Sequence, residues 1–442
     1  MTFNPALLQS IERLGYRVTA GDVAANAGLQ VETARQGLLA LASDVEGHLQ
    51  VADTGEIVYL FPKNFRSILT NKYWKLKVKE WLGKIWKIIF YLVRISFGIV
   101  LILSIAILFL AVVAVLILTI LRAGDSDGGG GGGGGGDSGG DFNFSFPTFD
   151  FFWFFTPDYY NNTYYERREI EKKTEQPVEK KMNFLESVFS FLFGDGDPNF
   201  NLEEKRWRSI GTVIQNQNGA VIAQQLAPYL DNITPSNEET EDYIIPVLSR
   251  FNGYPRVSDR GDIIYHFPDL QATTKTRKMQ AVSSYLRERS WKFSEAGSGQ
   301  ILLAIGLGGA NIILALVVGY FLRSGSIALL GSFGGFVTGI YWFLLVYAVS
   351  FLGIPFIRYF FLRWRNGRVD RRNQIRQERA SILTLDNPQI KEKLLYARQF
   401  ASRKVITEED ITYSTDKEYL EQEIERSDKI DEEWQRRLES GE

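Results

Sequence analysis

Cysteine is missing from all 442 residues, so no disulfide, thiolate-bound zinc, Cys-held iron–sulfur cluster or Cys nucleophile can be built within the chain. Histidine occurs twice, at His48 and His266, which nearly empties the usual stock of general bases and metal ligands. An excess of one charge is missing too: 50 Lys and Arg against 52 Asp and Glu leave a formal −2, so no global field draws the chain onto nucleic acid. There is no Walker-type phosphate loop, no HExxH, no GxSxG turn and no GxGxxG after a strand. Gly306, Gly308 and Gly309 lie inside an apolar run, and Asp53 and Asp259 sit at turn positions where Asp is favoured. These absences predict a protein that is not an enzyme and carries no cofactor, catalytic residue or metal.

What is present is sharply segregated. In residues 88–121 only Arg94, Ser96, Gly98, Ser104 and Thr119 stand outside the apolar class. One helix over that stretch would run about 50 Å against about 30 Å of hydrocarbon. Two readings follow: an interfacial helix that inserts from around Gly98, or a shallow hairpin that enters and leaves on one side. Residues 301–362 hold two further spans around Arg323-Ser324-Gly325. Gly306, Gly308, Gly309, Gly331, Gly334, Gly335 and Gly339 predict a close helix seam. No Asp, Glu or Lys lies inside these two spans, so an ion or proton relay has no carrier. Trp74, Trp81, Trp86, Lys84, Lys87, Trp153, Arg358 and Arg363 are the expected membrane-interface residues, with lipids as partners.

The polar parts contain a repeat. Residues 51–62 (VADTGEIVYLFP) and 257–268 (VSDRGDIIYHFP) match at Val, Asp, Gly, Ile, Tyr, Phe and Pro in the same order. Each reads as a hairpin with Gly55 or Gly261 supplying a positive φ. Upstream, Leu7–Leu14, Asp22–Ala27 and Val31–Ala42 have helical spacing; the second copy offers Ile210–Gln217, Val221–Tyr229 and Glu238–Phe251. Three short helices and a hairpin are the winged-helix order. Residues 1–62 carry three basic and seven acidic side chains, and residues 207–268 four and seven, the wrong balance for neutralising phosphates. Nucleic acid is therefore not an expected partner. Tyr59, Phe61, Tyr265 and Phe267 on the hairpins are the candidate protein-contact residues.

The fold class predicted is an integral membrane α-helical protein with two small α+β winged-helix-like soluble modules. The expected divisions are 1–66 (first module), 72–122 (basic, aromatic flank and long apolar segment), 123–165 (glycine tether and aromatic strip) and 166–206 (charged, amphipathic connector). They continue with 207–270 (second module), 271–300 (basic juxtamembrane helix), 301–362 (two transmembrane helices) and 363–442 (charged helical tail). Within the tail, Pro388–Ser402 reads as a helix, Thr407–Asp410 as a helix start, and Asp416–Arg437 as a solvated helix or a dock for another subunit. Lys and Arg flank all three apolar segments, which favours both modules on the cytoplasmic side with 88–121 as a hairpin or re-entrant element, the alternative being a single crossing with the second module translocated despite its basic flank.

The repeated motif, with LGYRVTAGDVAANAGLQVETARQGLLALASD (residues 14–44) and VYLFPKNFR (58–66), resembles an uncharacterised family of cyanobacterial and chloroplast membrane proteins. The resemblance covers the first module best and the remainder by general organisation. It implies a thylakoid or plasma membrane and transfers no catalytic residue. Some plant relatives carry an iron–sulfur cluster biosynthesis label, which a chain without Cys does not match. The reading that emerges is a membrane-anchored scaffold or assembly factor that binds other proteins and admits homo-oligomers. The alternatives are a membrane-tethered winged-helix transcription regulator, or a channel or membrane-shaping protein.

Overall fold

The computed structural model describes residues 3–72, 74–125, 182–231, 233–234, 239–275, 279–385, 387–424, 427, 431 and 434–435. They are mostly helical, with small and mainly antiparallel sheets. The first module comprises α1 (Pro5–Leu14), β1 (Arg17–Thr19), α2 (Ala20–Ala27), α3 (Val31–Asp44), β2 (His48–Ala52) and β3 (Ile57–Leu60). Thr19 caps α2 by accepting the Asp22 N–H at 3.0 Å, satisfying one of the free amides of the first turn. The β2–β3 turn closes with Gly55 at φ +81, as its sequence requires.

After α4 (Phe65–Lys72) the chain enters α5 (Trp74–Asp125) and is next described at α6 (Phe184–Phe193). The second module then repeats the order of the first: α7 (Leu202–Asn216), β4 (Ala220–Val221), α8 (Ala223–Leu226), α9 (Ile245–Phe251), β5 (Tyr254–Val257) and β6 (Ile263–His266). Its sheet is β4-β6-β5, as the first is β1-β3-β2, and Gly261 takes φ +87. Val221, expected to open a helix, pairs with Tyr265 in β4. A two-residue strand leaves no period-2 signal to read. The remaining elements are β7 (Ala272–Thr273), α10 (Ser298–Arg323), α11 (Gly331–Ile382), α12 (Pro388–Phe400), β8 (Lys404–Val405) and β9 (Ile411–Ser414).

Two compact units result: Met1–Lys79 with Pro198–Ser290 and Gly367–Glu442, and Glu80–Asp197 with Trp291–Asn366. In the first unit one core runs through both modules, with Ile11, Val23, Leu38, Tyr59 and Phe65 continuous with Trp207, Ile210, Phe251, Tyr265 and Phe267. The seam is α2 on α7. A Cβ on Gly211 would lie 2.7 Å from Ala25 Cα, so the two helices meet backbone to backbone. Arg250 stacks over Trp207 at 4.3 Å and donates to Gly28 O at 2.7 Å, sealing the edge.

The tail belongs to this unit, and the helix expected over Pro388–Ser402 is α12. Ile390 and Ala397 of α12 pack on Ile222 and Ile264. Strand β8 pairs in parallel with β7, and β9 extends the first sheet to β1-β3-β2-β9. Thr407–Asp410 starts no helix: Thr407 N and Oγ1 both donate to Asp410 Oδ2 at 2.7 Å, and the turn delivers Ile411 into β9. The part of Asp416–Arg437 that is described is helical at 419–424.

In the second unit α5 corrects the hairpin alternative: it is one uninterrupted helix of 52 residues. Tyr347 Oη donates to Phe97 O at 2.7 Å, tying α11 to α5. Ala304, Ala315 and Val318 of α10 pack between Leu101, Leu108 and Ala111 of α5 and Val337, Leu344 and Phe351 of α11. Short α6 lies against the same bundle, with Leu185 seated where a Cβ on Gly98 would be. Only part of the expected glycine seam forms. Gly308 meets Phe351 and Leu352, and Gly334 meets the Ile327 carbonyl, whereas Gly306, Gly309, Gly335 and Gly339 face open space.

Candidate functional site

Tyr59, Phe61, Tyr265 and Phe267 are between 0% and 4% exposed, so none offers a side chain to a partner. Alternation along β3 and β6 turns Tyr59 and Tyr265 into the core, and Phe61 and Phe267 follow each strand inward. Tyr265 Oη donates to Glu241 Oε2 at 2.7 Å, and Glu241 is held by Lys393 Nζ at 3.2 Å. Burial, reinforced by that hydrogen bond, pushes the Tyr265 phenol far up. Pairing a buried hydroxyl in this way is a packing solution, and these four residues are module interior.

The exposed polar surface is elsewhere. On α3, Glu32, Thr33, Gln36 and Leu39 point outward, Leu39 with 53% of its surface free. The sole cation of that helix, Arg35, lies 3.4 Å from Glu32 and 3.7 Å from Asp269, and Gln36 donates to Glu32 at 3.0 Å. A helix meant for a DNA groove needs its cations free for phosphates and its amides free for base edges. Here both are committed to carboxylates.

The tail side of the first unit carries a buried ionic lock on α11. Arg376, 2% exposed, donates to Asp231 Oδ1 at 2.7 Å and Leu286 O at 2.9 Å, and lies 2.8 Å from Glu288. Arg372 forks onto Glu288 at 2.8 and 2.5 Å, and Arg206 also reaches Asp231. Burial alone would raise the Glu288 carboxyl, but the hydrogen bond from Arg372 and the charges of Arg376 and Arg372 outweigh it, holding Glu288 below its ordinary value.

In the second unit the polar groups form clamps. Arg94 pairs with Asp195 at 2.6 Å; Asp195 accepts from Ser190 Oγ at 2.5 Å and from the Glu295 amide at 2.9 Å. The guanidinium of Arg358, an expected membrane-interface residue, caps the end of α6, donating to Phe191 O at 2.9 Å and to Ser190 O, where the last carbonyls of a helix are short of partners, and also to Phe293 O. Deeper in, Ser104 Oγ donates to Asn311 Oδ1 at 2.9 Å, both side chains being fully buried. Lys84, Lys87, Trp81, Trp86 and Arg363 are exposed. The side chain of Trp74 and all of Trp153 lie outside the described residues. The clamps were missed by sequence reasoning although their signal was present, as single polar residues interrupting apolar runs.

Among the described residues no group of three or more His, Asp and Glu is placed to hold a metal ion. A depression of ≈ 490 Å³ is open and lined by Gln50, Glu408, Glu409, Tyr413 and Asp416 among others. Among the described residues three helices are long and apolar enough to cross a membrane: Trp81–Arg122, Ser298–Arg323 and the segment Ser326–Ile382. Only 33%, 28% and 22% of their most apolar windows are buried within the protein.

No family model matches the chain, and no solved structure matches it. It is 37% identical over 446 residues to an uncharacterised chloroplastic protein of Arabidopsis thaliana, covering 98% of this chain and 81% of that one. The chain belongs to the family of that protein. What the family relationship adds to the geometry is a chloroplastic member whose match extends from the modules through the apolar helices to the tail.

Proposed function

We propose that this family member is a membrane-anchored scaffold or assembly factor, in which three transmembrane helices hold two fused winged-helix-like modules that bind another protein. The observation that carries the reading is the contrast between the two units. One has helices left apolar on nearly every outward face, and the other has a fused core and an outward α3 face whose cation Arg35 is tied off and which bears Leu39 among Glu32, Thr33 and Gln36. An apolar anchor in a polar surround is the usual composition of a contact patch. The chloroplastic relative supports a thylakoid location, and the resemblance extends this to cyanobacterial membranes. The iron–sulfur label is not part of the reading, since the chain has no thiolate to hold or relay a cluster.

The test is site-specific photocrosslinking from Gln36 and Leu39 of the full chain in its native membrane. A discrete partner band at both positions, lost with Leu39→Glu, is the expected result; no band above that from the buried Leu38 position overturns the proposal. The transcription-regulator reading predicts salt-dependent DNA binding by the full chain in detergent, and none is expected at low salt.

Sidedness follows from the same architecture. Residues 3–72, 198–290 and 367–424 share one compact unit, which supports a single side for all three and, with α5 crossing once between the first two, requires the chain to return to that side before Pro198. The basic flanks favour the cytoplasmic side or, in a chloroplast, the stromal side. Because the chain has no native Cys, single cysteines at Ser67, Asp259 and Ser402 are expected to react with an impermeant maleimide from one face, and at Ser324 from the other. Reaction of Ser67 and Asp259 from opposite faces would sink this arrangement.

A further inference from the structure

One end of the second unit combines features that the modules do not use. The Tyr347–Phe97 hydrogen bond fixes α5 against α11. Counting about 1.5 Å per residue from that anchor, Trp86, Lys87, Lys84 and Trp81 fall about 15–24 Å along α5, and Arg363, Trp364 and Arg365 about 24–27 Å along α11. The helices run in opposite senses, so both sets occupy the same slab. Arg365 stacks on Trp291 at 3.9 Å and Asn366 exchanges hydrogen bonds with its backbone, which brings Lys292 into the slab as well. Trp81, Trp86 and Trp364 are 61%, 67% and 54% exposed. Lys84, Lys87, Lys292 and Arg363 are exposed, and none has an ion-pair partner among the described residues. By the same count Glu80 of α5 falls in the slab, and the carboxylates whose side chains are described at this end are Glu186, Asp195, Asp197 and Glu295, of which Asp195 is spent on Arg94. On the other side of the slab the outward faces are apolar, from Leu103 and Leu302 to Val349.

We propose that this collar is a binding surface for anionic lipid headgroups in the leaflet it faces. Indole rings settle at the headgroup level, unpaired ammonium and guanidinium groups beside them attract negative headgroups, and the bundle alongside takes the acyl chains. The inference rests on the membrane-anchored reading above. The alternative occupants, a phosphorylated protein or a nucleic acid, would not use the adjoining apolar faces.

The full chain is reconstituted into mixed phosphatidylglycerol and phosphatidylcholine vesicles and re-isolated, and the lipids retained with it are quantified. Phosphatidylglycerol is expected to be enriched about fivefold or more over its share of the mixture, the factor that one cation near the surface contributes. Enrichment should fall with added salt and return to the bulk share in the variant Lys84→Gln, Lys87→Gln, Lys292→Gln and Arg363→Gln. A companion variant with Lys84→Arg, Lys87→Arg, Lys292→Arg and Arg363→Lys should keep it. Enrichment that survives the Gln variant, or an inserted wild-type chain with no enrichment, overturns the collar; so does equal competition by soluble glycerol phosphate. Extraction of the wild-type chain by alkaline carbonate is a separate outcome, since it refutes membrane anchoring itself and the collar with it.

Discussion

Glu288 shows how far a single carboxylate is committed by its surroundings. It is 5% exposed between Arg372 and Arg376, and its carboxyl is held below the ordinary value of 4.5. A carboxylate with a depressed folded-state pKa contributes stability that is fully present above the unfolded value and is lost as pH falls through the folded one. Thermal unfolding followed by circular dichroism should therefore weaken on acidification below about pH 4.5, and Glu288→Gln should flatten that slope while costing about 3–5 kcal/mol near neutrality, because Arg376 is left buried and short of a partner. At the seam between modules the sensitive residue is Gly211. Its Cβ in Gly211→Val would press on Ala25 Cα, so the modules must separate by a few tenths of an ångström or more. Denaturant unfolding should show a loss of about 1–3 kcal/mol, the range for overpacking a tight contact. Gly55 and Gly261 were legible as turn glycines from the repeat alone, because a positive φ is a local demand. Gly211 was not, because what it meets lies 186 positions away in sequence, at Ala25.

Among elements, the pairing of α5 with α10 is pinned by Ser104 and Asn311. Hydrogen bonds between helices in an apolar surround are worth about 0.6–1.7 kcal/mol, so Asn311→Leu should lower the stability of the reconstituted bundle by that order, measured by steric trapping or unfolding in detergent. An unchanged stability would mean that apolar packing alone sets the register. Strand β9 is the other decisive element. It covers the β2 edge through the pairs Gln50 with Ser414 and Val51 with Tyr413. The second module protects its corresponding edge differently: β5 contains Pro255, which has no amide hydrogen to offer, and Tyr396 of α12 donates to the Val257 carbonyl at 3.0 Å. Both devices blunt strands that would otherwise invite pairing between chains. The hairpins, α1, α2 and α3 were readable from spacing and capping, whereas β1, β4, β8 and β9 were not, since strands of two to four residues carry too short a pattern.

At the scale of the molecule, the tail is structural. Truncation after residue 387 removes α12, β8 and β9, uncovering Ile222, Ile264 and the β2 edge. The truncated chain is expected to become protease-sensitive within 3–72 and 198–290 while still resisting alkaline extraction, and limited proteolysis followed by mass mapping reads this directly. Unchanged protection would mean that the modules hold together without their clasp. Chain segregation, the duplicated hairpins, the apolar character of three helices and the absence of Cys-based chemistry were determined by sequence alone, because composition, period and turn chemistry are local properties. Tertiary structure decided that the two modules share one core and that the charged tail packs against them in a cluster of its own. It also decided that residues 74–125 form one unbroken helix and that the hairpin aromatics point inward. Each of those outcomes depends on which distant surface covers which face. Long-range contacts of that kind leave no periodic trace in the segments that make them.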